Sequence, residues 1–471
     1  MEITIIKRHF ARLLIVAAVS GLFFHYALAP DAFAQNIESD GESDMTLKYL
    51  VGMGKADLTP DLDKLDVSLN GYGGRKRRLA TGILDPLWAR ALVISDRMGT
   101  SAALISVDLC YVNTALRDAV VAKLSLMGIS PHGILLAATH THSGHSGYDA
   151  SFIAKILMGK FHQEIFDHTV GAIVESVRIA KASMRPAVMK YIMADVDGLN
   201  RSRLDPSFDH GQGGYAGQPA PTSIYPVSKR LTVITFSESK GKRIGALVNF
   251  AAHPTTLSPT NMRFSADYPG ILYERLEKEM GPESTAIFFN GALGDAAPMP
   301  DWSNPKKEVR DMRDYGNDLS DAAIRMMDDL KPSKSKGVVA FASVRKPIRR
   351  IVLRPLARLR LPEVLSKGFY TNPEVAFQVV QIGELLLMAA PGEATASVGK
   401  DFESLCPDGM RCITVAPANG YMGYLVSKEE YEKDGYESDS CLFGPDASLW
   451  TKRSFGQAME MMDLTPAGEF Q

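Results

Sequence analysis

The chain has 471 residues, 45% of them hydrophobic and 23% charged, with a formal net charge of −2. That length suits one large α/β domain or roughly two to three average ones, with ample apolar mass for a core. The near-neutral balance excludes an electrostatic footprint for nucleic acid, so no nucleic-acid partner is expected.

Lys7, Arg8 and Arg12 form a basic start, residues 13–24 an apolar stretch, and Ala32-Phe33-Ala34 before Gln35 a small-x-small cut site. This pattern predicts a secretory signal peptide over residues 1–34, cut after Ala34, and hence a periplasmic or secreted protein. An uncleaved anchor is the competing reading, but the apolar stretch is short against the roughly 20 residues a span needs. Residues 35–47 read as a polar leader.

Beyond the leader, strands and helices alternate. A β-rich run at 102–107 precedes a helical pattern at 115–126, and 133–139 reads as the next strand. Residues 161–184 space their apolar positions by three and four, as a long amphipathic helix does. Residues 205–222, rich in Gly, Pro and Asp, read as a loop over the site. A strand at 244–250 leads to a helix at 269–280 with Pro269 in its first turn. A strand at 286–289, a helix at 309–330, strands at 337–348, 375–382 and 385–389, and a helix from about 394 complete the order. The alternation predicts an α/β fold of mixed β-sheets layered with flanking helices, as one domain over residues 48–471.

Four cysteines suit an exported chain. Cys406 and Cys412 bracket a tight Pro-Asp-Gly loop and can pair locally; Cys441 competes as a partner, and Cys110 reads as a buried free thiol. The absence of CxxC argues against a cysteine-based zinc site.

Four apolar strands end in chemically loaded turns: 133–139 before His140 and His142, 244–250 before His253, 286–289 before Gly294-Asp295-Ala-Ala297-Pro298, and 385–389 before Pro391-Gly392-Glu393. An active site is therefore expected at the carboxyl ends of the strands, where α/β folds gather ligands and catalysts. Singly, a histidine after a strand is usually structural and a Gly-Asp usually a turn; the repetition carries the weight. Asp295 orients a ligand or caps its turn. Two histidines and a carboxylate suit a catalytic zinc, which lowers the pKa of bound water to about 7. Tyrosines crowd residues 420–436, which alone would read as an aromatic packing patch. The basic run Arg75-Lys-Arg-Arg78 reads as a solvated loop in preference to a contact with anionic headgroups. His145, His162, His168 and His210 receive no role.

The chain resembles the neutral (non-lysosomal) ceramidase family. The matching strings are Val51-Gly-Met-Gly-Lys-Ala-Asp57-Leu-Thr-Pro60, Gly71-Tyr-Gly73, Thr139-His-Thr-His-Ser-Gly144, Leu199-Asn-Arg-Ser202, Ala251-Ala-His253, Gly294-Asp295, Pro391-Gly-Glu393 and Asn419-Gly-Tyr-Met-Gly-Tyr424, with Glu430-Tyr431 and Tyr436-Glu437. The resemblance implies that His140, His253, Glu393 and Tyr424 hold Zn2+. It implies that His142, Arg201 and Tyr436 bind and polarise a scissile amide. Two features depart from the family. Ala297 stands where the family carries a serine, so attack is expected from zinc-activated water. The chain ends 35 residues after Tyr436, without the length of the immunoglobulin-like C-terminal domain of longer members. The expected function is exported, zinc-dependent hydrolysis of the amide of an N-acyl, ceramide-like lipid, with a peripheral membrane contact. The alternatives are hydrolysis of another ester or small amide on the same scaffold, or a silent zinc- and lipid-binding homologue.

Overall fold

The computed structural model describes residues 48–203, 227–299, 311–335, 337–354, 359–368, 374–433 and 435–468. The predicted signal peptide, leader and 205–222 loop lie outside the described residues. Among the described residues, the larger sheet has nine strands. The main ones are β1 Tyr49–Asp57, β2 Trp88–Ser95, β3 Ser101–Val107, β4 Ile134–Ala138, β5 Arg185–Asp195, β6 Arg230–Ser237, β7 Arg243–Phe250 and β8 Thr285–Asn290. They run in the order β8-β7-β6-β5-β1-β2-β3-β4, and Lys331–Pro332 pairs with β5 as a branch. The middle of this sheet is antiparallel, but both edges are parallel pairs, β3 with β4 and β7 with β8. A second sheet holds β9 Val339–Pro347, β10 Glu374–Ile382, β11 Leu385–Ala389 and β12 Arg411–Val415, with β11 and β12 parallel.

Side-chain alternation explains why the strands look uniformly apolar. In β3, Ala103, Ile105 and Val107 face one apolar cluster while Ala102 and Leu104 face another. In β11, Leu385 and Leu387 join the second of these clusters, and Leu386 and Met388 turn to a third. Strands covered on both faces have no polar face to reveal their period of two. The shared cluster joins Val51, Leu104, Ile234 and Phe289 of the larger sheet to Val380 and Val415 of the second, so the two sheets face each other.

Helices cover the outer faces. Helices α1 Thr114–Ser125 and α2 Gln163–Ala182 pack outside β1–β4, through Leu116, Val120, Ile173 and Val177. Helices α3 Tyr268–Met280 and α4 Met312–Met326 cover β6–β8 through Leu272, Leu276 and Leu319. Helices α5 Ala396–Glu403 and α6 Ala447–Glu460 cover the second sheet through Val398, Phe402 and Phe455. The result is the expected mixed-sheet α/β architecture.

The larger sheet curls enough for its far edges to meet. Ser106 Oγ on β3 donates to Phe288 O on β8 at 2.6 Å, and Asn290 Nδ2 donates to Thr139 O at 3.1 Å. The carboxyl ends of β4 and β8, at opposite ends of the strand order, thus become neighbours.

The sequence reading passed over β1, β2, β5, β6, β12 and α6. In β1 the reason is physical. Gly52 and Gly54 interrupt its apolar pattern because α2 lies directly on the strand: a Cβ at Gly52 would fall 1.9 Å from Ala180 O, and one at Gly54 2.5 Å from Ser176 O. Cys406 and Cys412 form a disulfide with Cα atoms 5.6 Å apart, while Cys110 and Cys441 are free and buried. Among the described residues no helix is long and apolar enough to cross a membrane.

Candidate metal centre

Three parallel strand pairs deliver the central residues. His140 follows β4, His253 follows β7, and Glu393 follows β11. Glu393-Ala394 then pairs in parallel with Tyr424-Leu425, which sets Glu393 directly beside Tyr424.

Both histidines are fixed from behind. His140 Nδ1 donates to Cys110 O at 2.6 Å, and His253 Nδ1 donates to Ala296 O at 3.0 Å. A carbonyl can only accept, so each ring keeps its proton on Nδ1 and presents an Nε2 lone pair. The two Nε2 atoms face one carboxylate oxygen, Glu393 Oε2, at 3.3 Å from His140 and 3.0 Å from His253. Tyr424 Oη lies 3.4 Å from His253 Nε2. Ligand atoms of His140, His253 and Glu393 all fall within 4.8 Å of one another. Acceptors this close repel unless a cation, proton or metal, lies between them. His140 also holds a left-handed backbone, φ +70°, an uncommon conformation for a non-glycine residue and one that clusters at functional sites.

The electrostatics agree. Burial alone would push the Glu393 carboxyl up, but His140 beside it holds it well below the usual range. Burial would likewise lower His140, and the Glu393 charge reverses that. Burial, and then the Arg203 charge, bring His253 down to about 3. Two imidazoles, a carboxylate and a phenol fit the donor set of a zinc site, with zinc the default for such ligands.

Cys110, His140 and His142 form a second group with metal-ligand spacing. Its thiol faces His140 Nδ1 at 3.9 Å, the nitrogen already engaged with Cys110 O. The His140–His253–Glu393 set is therefore the better cation site.

His142 stands beside this set, its Nε2 3.2 Å from His140 Nε2. Burial, and then the two neighbouring imidazoles, hold it well below the ordinary histidine pKa, and so neutral. The Gly71-Tyr-Gly73 string is its cradle. Gly71 has φ +97°, and a Cβ there would meet His142 Cγ at 2.5 Å. Tyr72 meets the His142 ring edge-on at 4.6 Å, and Arg75 donates to His142 O. The solvated-loop reading therefore fails for Arg75, which is 1% exposed, while Lys76, Arg77 and Arg78 are exposed.

Tyr436 lies farther out, 57% exposed, its ring 5.5 Å from that of Tyr424. Arg201 is buried on the short strand Asn200–Ser202, paired with Ala297 across an antiparallel ladder. Neither Arg201 nor Ala297 lines the cavity described below. Asp295 proves to be a cap and a tie: its carboxylate accepts from Ala396 N at the start of α5 (2.7 Å) and from Ser202 Oγ (2.9 Å). Burial raises its pKa to about 6.

Two supporting residues were missed in the sequence. Tyr421 donates its hydroxyl to Glu393 Oε1. Arg203 donates to Tyr424 Oη at 3.0 Å, to Gly294 O, and pairs with Glu437 at 3.1 Å. An arginine one position beyond a motif and one tyrosine among many carry no local signal of such a role.

The cluster forms the inner end of a cavity of about 380 Å³. His140, His142, Glu393 and Tyr424 line its polar end, and Leu69, Ile153, Leu157, Met158, Val375 and Leu442 its apolar walls. An apolar cleft with a few convergent polar groups is the usual form of a small-molecule site.

Comparison with known proteins matches these features to one family. The family described as neutral/alkaline non-lysosomal ceramidase, N-terminal, matches residues 49–341 and 361–450. The neutral ceramidase of Pseudomonas aeruginosa is 24% identical, over 87% of this chain and 71% of that protein. Neutral ceramidase B of Dictyostelium discoideum is 27% identical, over 92% and 75%. The crystal structure of the Pseudomonas aeruginosa neutral ceramidase superposes with a TM-score of 0.74 at 22% identity, covering 89% of this chain and 75% of that one, which shows a shared fold. The chain belongs to the neutral/alkaline non-lysosomal ceramidase family.

Proposed function

We propose that the protein is an exported, zinc-dependent hydrolase that cleaves the carbon–nitrogen bond of an N-acyl, ceramide-like lipid. The observation that carries this reading is the convergence of His140, His253 and Glu393, with His140 and Glu393 lining the polar end of a cavity with apolar walls. Family membership supports the amide chemistry, and a structurally similar chain is described as a ceramidase complexed with C2.

His140 Nε2, His253 Nε2, Glu393 and Tyr424 would hold the zinc, which supplies Lewis acidity and lowers the pKa of a water molecule to about 7. The chain's own residues do the rest. Tyr421 orients Glu393, and Arg203 orients Tyr424. Neutral His142 and the Tyr436 phenol would donate hydrogen bonds to the carbonyl oxygen as it gains negative charge. Arg201, buried beside Ala297 and outside the cavity lining, is assigned no step. Water adds to the carbonyl carbon, the carbon–nitrogen bond breaks, the amine takes a proton, and the fatty acid leaves as carboxylate. Ala297 offers no nucleophile, and His253 donates to the Ala296 backbone carbonyl of that turn, which alanine at 297 leaves intact. Residues 1–34 direct export.

The test is fatty-acid release from N-acyl sphingosine by chelator-stripped and zinc-restored protein. Release that returns with zinc is expected. Activity found only in Ala297→Ser would sink direct attack by water; activity in neither protein would leave the silent-homologue reading.

A further inference from the structure

The outer end of the cavity carries features that amide hydrolysis does not use. The short helix Phe152–Leu157 gives Ile153, Ala154 and Leu157 to the cavity wall. Yet Phe152 and Ile156 on the same helix are 61% and 46% exposed, and Leu157 is itself half exposed. The chain then turns at Gly159, which packs against Ser68 Oγ. That same hydroxyl donates to Arg77 O at 2.9 Å. The contact sets Lys160 beside the turn Lys76-Arg77-Arg78-Leu79, and all four residues of that turn are exposed. Lys155 is exposed on the helix. Residues 71–80 and 150–163 contain no aspartate or glutamate. Among the described residues none of these five cations has an acidic side chain within 4.0 Å. Lys76 and Arg77 sit at φ +51° and +61°, left-handed positions where glycine or asparagine would be less strained.

We propose that the Phe152–Leu157 helix and the Lys76–Leu79 turn together form a docking face for the anionic surface of a lipid bilayer, with the cavity mouth held against it. Exposed apolar side chains flanked by cations match a surface of anionic headgroups over acyl chains. The face is continuous with the cavity wall, so a bilayer would deliver lipid directly into the mouth. This proposal rests on the lipid-substrate reading above, but its test does not depend on turnover.

The zinc-loaded protein is sedimented with phosphatidylcholine vesicles, with and without phosphatidylserine and without ceramide. Binding to the anionic vesicles, lost at high salt, is expected. The triple variant Arg77→Glu/Lys155→Glu/Lys160→Glu and the double variant Phe152→Ser/Ile156→Ser should each weaken binding by about tenfold or more. Both should turn over a dispersed short-chain N-acyl substrate as the parent does, which also shows that they are folded. Equal binding to neutral and anionic vesicles, unchanged binding by the variants, or self-association through this face seen by light scattering would overturn the docking face. Vesicle binding with no short-chain turnover would instead sink the hydrolase reading and leave the docking face standing.

Discussion

The two ends of the cavity are built differently. At the inner end His140, His253 and Glu393 are buried, and each is held by another group: Cys110 O, Ala296 O and the Tyr421 hydroxyl. Supports of this kind fix tautomer and orientation, so substitutions there cost far more than the loss of one contact. At the outer end Phe152 and Ile156 stand exposed to solvent. Their service is to present a surface, and single changes there should be cheap in chemistry and stability alike. Precision is concentrated where charge must be placed, and apolar area where a lipid must enter.

The largest expected effect is at Glu393. Glu393→Ala removes a ligand and leaves two Nε2 atoms without their common partner. Zinc should be lost in equilibrium dialysis and turnover should fall by more than the roughly 10–100-fold typical of supporting residues. Retention of zinc at parental affinity would break the comparison at its strongest point. Gly71→Ala should come next. Its Cβ collides with His142, so kcat should drop by roughly 10–100-fold while zinc stays bound. Loss of zinc together with kcat would show that the cradle supports the metal ligands rather than His142. Arg203→Met frees Tyr424 Oη and should weaken zinc by roughly tenfold, read by competition with a chelating dye.

A stability effect sharpens the picture of the inner end as dry core. Asp108 precedes Leu109 and Cys110, whose carbonyls accept from His140. Its carboxylate accepts from Trp88 N at 2.8 Å and Tyr273 Oη at 3.2 Å, and burial raises its pKa from 3.8 to about 7. Because the folded pKa exceeds the unfolded one, the contribution to stability is full below about 4 and is lost as pH rises through about 7. Between those limits the parent should lose up to roughly 4 kcal/mol relative to Asp108→Asn, as measured by denaturant unfolding. Parallel pH profiles would contradict a dry environment. The smallest effect belongs to Phe152→Ser, expected within about 0.5 kcal/mol in stability and twofold on a dispersed short-chain substrate.

Most of the layered fold and half of the site were legible before any coordinates. His140, His253 and Glu393 announce themselves because each ends an apolar strand, and strand ends gather at one place in this class of fold. Tyr424 was reached only through resemblance, because a two-residue ladder far along the chain brings it to Glu393. Arg203 and Tyr421 depend on that same long-range juxtaposition. Among the strands, β1 was hidden by the glycines that α2 demands, and β5 by half-buried positions that blur its alternation. The basic run was read as one loop, yet Arg75 turns inward to His142 while its three neighbours face solvent.

The most direct test of the assigned centre is X-ray absorption at the zinc edge of the zinc-loaded protein. The His140–His253–Glu393–Tyr424 site predicts a first shell of nitrogen and oxygen only, at about 2.0–2.2 Å. A sulfur at about 2.3 Å would place the ion on the Cys110–His140–His142 group and contradict the account.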